Sequence, residues 1–241
     1  MWGAALLALI AMAADGQGAS AAPAPPVPAA TSTPAPPVPA APAATGTLVG
    51  RAPLPKVRPL KPTKDHYGSK VTSRIDPPDA PVSAVVMQGT FAPAPPGSLP
   101  VARMSQRNYQ FKPATLVIRT GTSVVFPNQD DMYHNVFSLS PARKFDLGKY
   151  RKGEEPEPVL FDKPGVVNLY CEVHEHMRGA IVVVDSPHFT LTDAEGRFRL
   201  EGLPPGEHVF QVVMPPKDAV EFRARVEAGR ETTVDWTVPA P

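Results

Sequence analysis

Short apolar runs separated by turn-forming residues dominate the chain from about residue 46 onward. The runs are rich in Val, Ile and Phe or alternate with polar positions, and both patterns are typical of strands. In the middle of the chain they predict strands at residues 102–105, 115–119, 122–126, 132–138, 159–162, 166–171 and 180–184. Short strands at this spacing predict an all-β fold in which the strands form a sandwich.

Two stretches interrupt this pattern. Arg143–Pro158 mixes Lys, Arg and Glu, and we interpret it as a solvent-exposed excursion from the sandwich. Leu54–Pro81 is rich in Pro and Lys and is longer than most connections within a compact domain. We interpret this second stretch as a surface loop between two predicted strands, Gly46–Gly50 and Ser83–Gly89.

The C-terminal part of the chain contains further alternating strands. Turns are predicted at Asp193–Gly196 and Pro204–Gly206. This segment resembles the carboxypeptidase regulatory-like domain, a transthyretin-like β-sandwich, but only about 50 residues follow Asp185, too few for a complete sandwich. We therefore expect a discontinuous domain of residues 46–100 and 186–238, with a second domain, residues 101–185, inserted into it.

The N-terminal region has a different composition. Residues 1–18 begin with an apolar stretch too short to span a bilayer comfortably, and they resemble a cleaved secretory signal. Residues 19–45 are almost wholly Ala and Pro, with Ala-Pro-Pro-Val-Pro-Ala-Ala occurring twice, which predicts a disordered, extended linker. We expect an exported, periplasmic protein; an uncleaved N-terminus would instead tether it to the membrane.

Charge and cysteine content exclude some functions. Lys and Arg number 24 against 23 Asp and Glu, and no basic stripe with a stacking platform is present, so nucleic acid is not an expected partner. A single cysteine excludes an internal disulfide. Oligomeric state does not follow from these features.

The candidate chemistry is concentrated in one short segment, Tyr170–Met177. It contains the only cysteine, Cys171, followed by His174 and Met177 in a tight loop between two predicted strands. Thiolate and thioether sulfur suit Cu(I), and imidazole suits both copper oxidation states. A trigonal site with two His and one Cys requires another imidazole, for which His134, after the strand 122–126, is the candidate.

The segment from about Met104 to Asp185 resembles the cupredoxins, the small blue copper proteins, which have a Greek-key β-sandwich. The resemblance rests on Phe111-Lys112-Pro113, Gly121–Phe126, Asn128, His134-Asn135-Val136, Phe161–Gly165 and the Cys171-x₂-His174-x₂-Met177 loop, whose spacing is similar to that of the amicyanins. It implies one copper ion in a type 1 site with His134, Cys171, His174 and Met177 as ligands. It also implies that Asn135 ties the two ligand loops together and that the ring edge of His174 reaches the surface as the electron port.

These features predict an electron carrier, not an enzyme, that moves single electrons between redox partners as Cu(I) and Cu(II) alternate. The pair His174-x-His176 is similar to those of multicopper oxidases, but a trinuclear cluster needs more than the six histidines of this chain. The extra imidazole of His176 either points to solvent or replaces Met177 as axial ligand. The alternative function is copper storage or delivery without electron transfer.

Overall fold

The computed structural model describes residues 44–56, 77–95, 97–216 and 218–235, and this part of the chain is all-β. The predicted signal peptide, the linker up to residue 43, most of the predicted loop Leu54–Pro81 (residues 57–76) and residues 236–238 of the predicted C-terminal domain lie outside the described residues. Among the residues described, there is no helix with the length and apolar character needed to cross a bilayer.

Seventeen strands run through the described residues. They are β1 (Gly46–Arg51), β2 (Ala84–Met87), β3 (Ala102–Arg103), β4 (Ser105–Arg107), β5 (Gln110–Lys112), β6 (Thr115–Arg119), β7 (Thr122–Val125), β8 (His134–Ser140), β9 (Arg143–Tyr150), β10 (Val159–Phe161), β11 (Gly165–Tyr170), β12 (Arg178–Val184), β13 (Phe189–Leu191), β14 (Arg197–Leu203), β15 (Gly206–Met214), β16 (Asp218–Val226) and β17 (Glu231–Asp235). The predicted strands of the central segment correspond to these elements to within a few residues, apart from the regions discussed below.

Strands β3–β12 form the central sandwich. A five-stranded sheet in the order β6-β12-β11-β8-β9 and a three-stranded sheet in the order β10-β7-β3 enclose one apolar core, to which the hairpin β4–β5 adds Phe111. Val124 and Phe161 enter this core from the smaller sheet, and Leu169 and Ile181 enter it from the larger one. Alternating inward residues on facing sheets are what a sandwich core requires.

The strands on either side of the central segment form a second sandwich. Strand β1 lies between β14, to which it is antiparallel, and β17, to which it is parallel. Strand β2 lies between β13 and β15 and is antiparallel to both. A separate apolar core containing Leu48, Val85 and Phe210 lies between these sheets. Strands from before and after residues 101–184 therefore pair within the same sheets.

A third apolar cluster joins the two sandwiches, and we call it the shared layer. Its buried members are Ala84, Val86, Val182, Val184 and Val213. Strand β12 is buried on both faces because alternate residues point in opposite directions: Ile181 and Val183 enter the central core, whereas Val182 and Val184 enter the shared layer. The continuous run of Ile and Val in β12 follows from this double burial.

The expected solvent-exposed excursion at Arg143–Pro158 is wrong for its first half, whereas residues 151–158 form no strand and are almost all exposed. Instead of an excursion, residues 143–150 form β9, an edge strand paired with β8 along most of its length. Phe145 and Leu147 pack against the central core, while the intervening polar residues face solvent. The high content of Lys, Arg and Asp belongs to the outer face of this edge strand, where charge also discourages further strand pairing.

Candidate metal centre

Two neighbouring strands bring the candidate ligands together. His134 is the first residue of β8, and Cys171 directly follows β11, which pairs with β8 at Tyr170 and Phe137. His174 and Met177 lie in the loop from Cys171 to the start of β12. The backbone N–H of Met177 donates to the carbonyl of His174 at 3.0 Å, which closes this loop into a tight turn.

Three donor atoms of these residues converge at one point. The Nδ1 atoms of His134 and His174 lie 3.0 Å apart, and the Cys171 Sγ lies 4.0 Å from the first and 3.9 Å from the second. A point equidistant from all three atoms is about 2.1 Å from each. Zinc–nitrogen and zinc–sulfur bonds are ~2.0–2.3 Å long, and metals of similar size need similar distances. The structure therefore groups His134, Cys171 and His174 as residues that could hold one metal ion.

The site is closed to solvent. His134 and Met177 are 0% exposed, His174 is 3% exposed and Cys171 is 4% exposed. Met177 packs in the same apolar core as Cys171, so its thioether belongs to the interior at this end of the sandwich. His176 is only half-buried and is not part of the converging group. The structure thus places the His176 ring outside the group of three donor atoms.

Asn135 ties the two ligand loops together, as predicted. Its side-chain carbonyl accepts a hydrogen bond of 2.6 Å from the backbone N–H of Glu172, next to Cys171. Its amide nitrogen donates to Asp146 on the neighbouring β9 at 3.3 Å. These bonds fix the loop that carries Cys171 relative to the strand that begins with His134.

Asp130 is a functional residue that the sequence analysis did not identify. The Nε2 atom of His134 lies 2.9 Å from a carboxylate oxygen of Asp130. Because an ionised carboxylate can only accept, Nε2 carries a proton, and Nδ1 is the atom that faces Cys171 and His174 and could bind a metal. The sequence feature that could have indicated Asp130 is its position four residues before the candidate ligand His134.

Hydrogen bonds within the site shift the pKa values of Asp130, His134 and Cys171 in the directions that favour their charged forms. Burial raises the pKa of Asp130, but hydrogen bonds from His134 and from two backbone N–H groups outweigh it and lower this pKa overall. Burial lowers the pKa of His134, yet its hydrogen bonds with Asp130 and Cys171 raise it overall. Burial also raises the pKa of the Cys171 thiol, but hydrogen bonds with His134 and His174 dominate and lower it to about 6. A thiolate is the form that binds metal.

The position of His174 contradicts one expectation. The resemblance implied that the ring edge of His174 reaches the surface, but this ring is buried. The Tyr109 ring meets it edge-on, with ring centroids 5.0 Å apart and planes at 87°. Tyr109 belongs to the turn between β4 and β5, a hairpin that the strand pattern did not reveal. An aromatic side chain from a distant part of the chain thus covers the expected port.

The central segment is similar to known copper proteins. Residues 101–184 match the family model of copper binding proteins of the plastocyanin/azurin family. Amicyanin-alpha from Methylorubrum extorquens is 29% identical over 94 residues, which cover 38% of this chain and 75% of that protein.

Two solved structures illustrate the same similarity. A purple cupredoxin from Nitrosopumilus maritimus has 26% identity and a TM-score of 0.31, covering 34% of this chain and 98% of its own. A copper-containing nitrite reductase from Thermus scotoductus has 25% identity and a TM-score of 0.34, over 40% of this chain. This chain spans only 25% of the reductase chain.

The family match supports a cupredoxin domain over residues 101–184. Together with the buried His-Cys-His group, it indicates one copper ion as the cofactor. The soft sulfur and imidazole donors fit copper because they suit both of its common oxidation states. At this coarse level the segment is a copper-binding domain of the electron-carrier kind, while the remaining two-thirds or so of the chain lie outside the match.

Proposed function

We propose that this protein is an exported type 1 copper protein that carries single electrons between redox partners. His134, Cys171 and His174 are the three close ligands, and Met177 is the weak axial ligand. The observation that carries this proposal is the convergence of two Nδ1 atoms and one Sγ atom in a buried site. Copper bound there would gain and lose one electron as Cu(I) and Cu(II) alternate.

The residues around the donors suit such a carrier because they hold the ligands in one arrangement. Asp130 fixes the tautomer and the ring orientation of His134. Asn135 holds the Cys171 loop, and the 3.0 Å hydrogen bond from Met177 to His174 holds the loop closed. Ligands that are already in place before the electron arrives need little rearrangement, which favours fast transfer.

Burial of the donors favours electron transfer over copper delivery. A protein that hands copper to another must expose its ligands, whereas the four proposed ligands here are at most 4% exposed. The same burial leaves a substrate little access to a metal held by these donors. We therefore propose a carrier without a catalytic group, with redox proteins as partners and nucleic acid excluded.

We further propose that the protein works in the periplasm and that its second sandwich is a carboxypeptidase regulatory-like domain. The first proposal rests on the apolar stretch and the Ala/Pro-rich sequence of residues 1–45. The second rests on the pairing of β1 and β2 with the strands that follow residue 188. Fractionation of cells that express the tagged full chain tests the location, with recovery in the cytoplasm as the contrary result.

Copper titration of the full chain tests the central proposal. We expect one equivalent of Cu(II) to produce an intense visible thiolate-to-copper band and a type 1 electron paramagnetic resonance signal. Cys171→Ser should abolish the band, whereas the matched control His176→Gln should retain it because His176 lies outside the donor group. A colourless complex with an ordinary tetragonal signal would instead favour storage or delivery, and no binding would refute both functions.

A further inference from the structure

The turn between β4 and β5 lies against the candidate metal centre. The Tyr109 ring contacts His174 edge-on at a centroid distance of 5.0 Å and His134 edge-on at 5.9 Å. It also lies 6.5 Å from the ring of His176. Tyr109 is partly exposed, while His134 and His174 are buried. The aromatic surface nearest to the donors therefore includes Tyr109 and not a ligand ring.

This turn has an uncommon backbone. Asn108 and Tyr109 have φ angles of 50° and 61°, a region that residues other than glycine adopt infrequently. Two successive residues with positive φ form the tight hairpin turn whose twist suits the flanking strands. A bulky aromatic residue is disfavoured there, so the surrounding structure must hold it in place.

Asp130 holds this turn in place through hydrogen bonds. Its carboxylate accepts hydrogen bonds from the backbone N–H groups of Asn108 at 2.7 Å and Tyr109 at 3.0 Å. The same carboxylate accepts from Nε2 of His134 at 2.9 Å. On the other side, the Tyr109 ring lies beside the ring of His176 in the ligand loop, with centroids 6.5 Å apart. The position of the Tyr109 ring is thereby coupled to the loops that carry the donors.

We propose that the Tyr109 side chain, and not the ring edge of His174, is the contact through which a redox protein exchanges an electron with this site. The inference rests on the proposed function. One electron leaves the reduced site and reduces a one-electron acceptor protein, and the reverse transfer restores it. The tyrosine keeps its own electrons and its phenolic proton, because it serves as the contact between the buried histidine and the partner.

Electron self-exchange between oxidised and reduced copies of the copper-loaded full chain tests this inference. We expect Tyr109→Phe to retain the wild-type rate within about twofold, because the ring remains. Tyr109→Ala should slow self-exchange roughly tenfold, the scale of losing a central aromatic contact. Tyr133→Ala is the matched control, because Tyr133 precedes His134 but is 43% exposed and packs under the guanidinium of Arg151.

A small oxidant separates loss of contact from general damage. Hexacyanoferrate(III) can enter the space left by the ring, so its reaction with the reduced Tyr109→Ala protein should be as fast as wild type or faster. Self-exchange that is unchanged or accelerated in Tyr109→Ala would overturn the inference, and so would a fall in both rates. The visible band of each variant distinguishes this outcome from failure of the proposed function, which would remove the band from the wild-type protein as well.

Discussion

Asp130 connects a candidate ligand to the turn that covers the site, so its charge acts on both. It accepts from His134 and from two backbone N–H groups, and all three bonds orient donors toward the carboxylate. A carboxylate behind a ligating histidine raises the basicity of the imidazole and fixes its tautomer. The acidic side chain therefore affects both affinity for the metal and the geometry of the centre.

Replacing this carboxylate tests that role. Asp130→Asn should weaken Cu(II) binding by about 10- to 100-fold, the usual effect of losing such a partner of a ligating histidine. The measurement is competition against a chelator of known affinity. Asp131→Asn is the control, because Asp131 is exposed and forms an ion pair with Lys152 at 3.3 Å, away from His134. Equal affinities for Asp130→Asn and the wild type would contradict the assigned role.

The thiol of Cys171 offers a test on the metal-free protein. Its pKa falls from an ordinary 9.0 to about 6 because hydrogen bonds with both histidines outweigh burial. Thiolate absorbance near 240 nm should therefore rise with a midpoint near pH 6, and Cys171→Ser should show no such transition. The lowered pKa contributes stability that is fully present above pH 9 and is lost as pH falls through about 6. A midpoint near the ordinary value would contradict the hydrogen bonding described.

The sequence indicated the candidate donors, including the distant His134, but not the residues that contact them from other loops. Cys171, His174 and Met177 lie within seven residues of one another, so their spacing alone identifies the loop. Asp130 and Tyr109 act through contacts between separate loops, and no periodicity indicates that the turn after β4 lies over β8. The burial of His174 could not be predicted for the same reason, because a residue 65 positions away covers it.

At the level of elements, strands with adjacent apolar residues were predicted better than strands with mixed composition. β7, β11 and β12 contain short runs of Val, Ile or Leu that mark them as strands. β9 was mistaken for an excursion because charged residues on its outer face obscured the alternation of Phe145 and Leu147. An edge strand needs polar residues outside, so composition alone misjudges it.

The turn between β13 and β14 allows a test of how the second sandwich is joined. Gly196 has a φ of 84°, and a Cβ there would lie 2.5 Å from the carbonyl oxygen of Ala52, the residue after β1. Gly196→Ala should lower the free energy of unfolding by roughly 2 kcal/mol, from backbone strain and this close approach. The measurement is urea denaturation followed by circular dichroism.

A second glycine serves as the control for that substitution. Gly202 also has a positive φ, 70°, but a Cβ there would meet nothing within 4 Å. Gly202→Ala should therefore cost only the backbone strain, about 1 kcal/mol. If both variants lose the same stability, the approach of the 193–196 turn to the end of β1 is not as described.

At the level of the whole molecule, the shared layer couples the stabilities of the two sandwiches. Val86 belongs to the second sandwich, yet it packs in one cluster with Val182 and Val184 of the central one. Removing apolar volume on one side leaves the facing side chains without contacts. Mutations far from the candidate metal centre should therefore influence the stability of the domain that contains it.

Val86→Ala tests this coupling. It should lower the stability of the copper-loaded protein by roughly 2 kcal/mol, the scale of removing two buried methyl groups. The measurement is the urea concentration at which the visible band is lost, since the band reports only the central domain. Val101→Ala makes the same chemical change at a position that is 59% exposed and should have almost no effect. An unchanged midpoint in Val86→Ala would mean that the shared layer does not couple the stability of the second sandwich to that of the central domain.

Strand β12 spans the central domain from the loop that carries the candidate ligands to the shared layer. At about 3.3 Å per residue, the seven residues of β12, Arg178–Val184, extend over roughly 20 Å. A binder attached to the second sandwich near β2 and β13 would thus be held well beyond the reach of rapid electron transfer. The molecule consequently separates two tasks along one strand: a partner can stay bound at one end while the other end remains free for transient contacts with redox proteins.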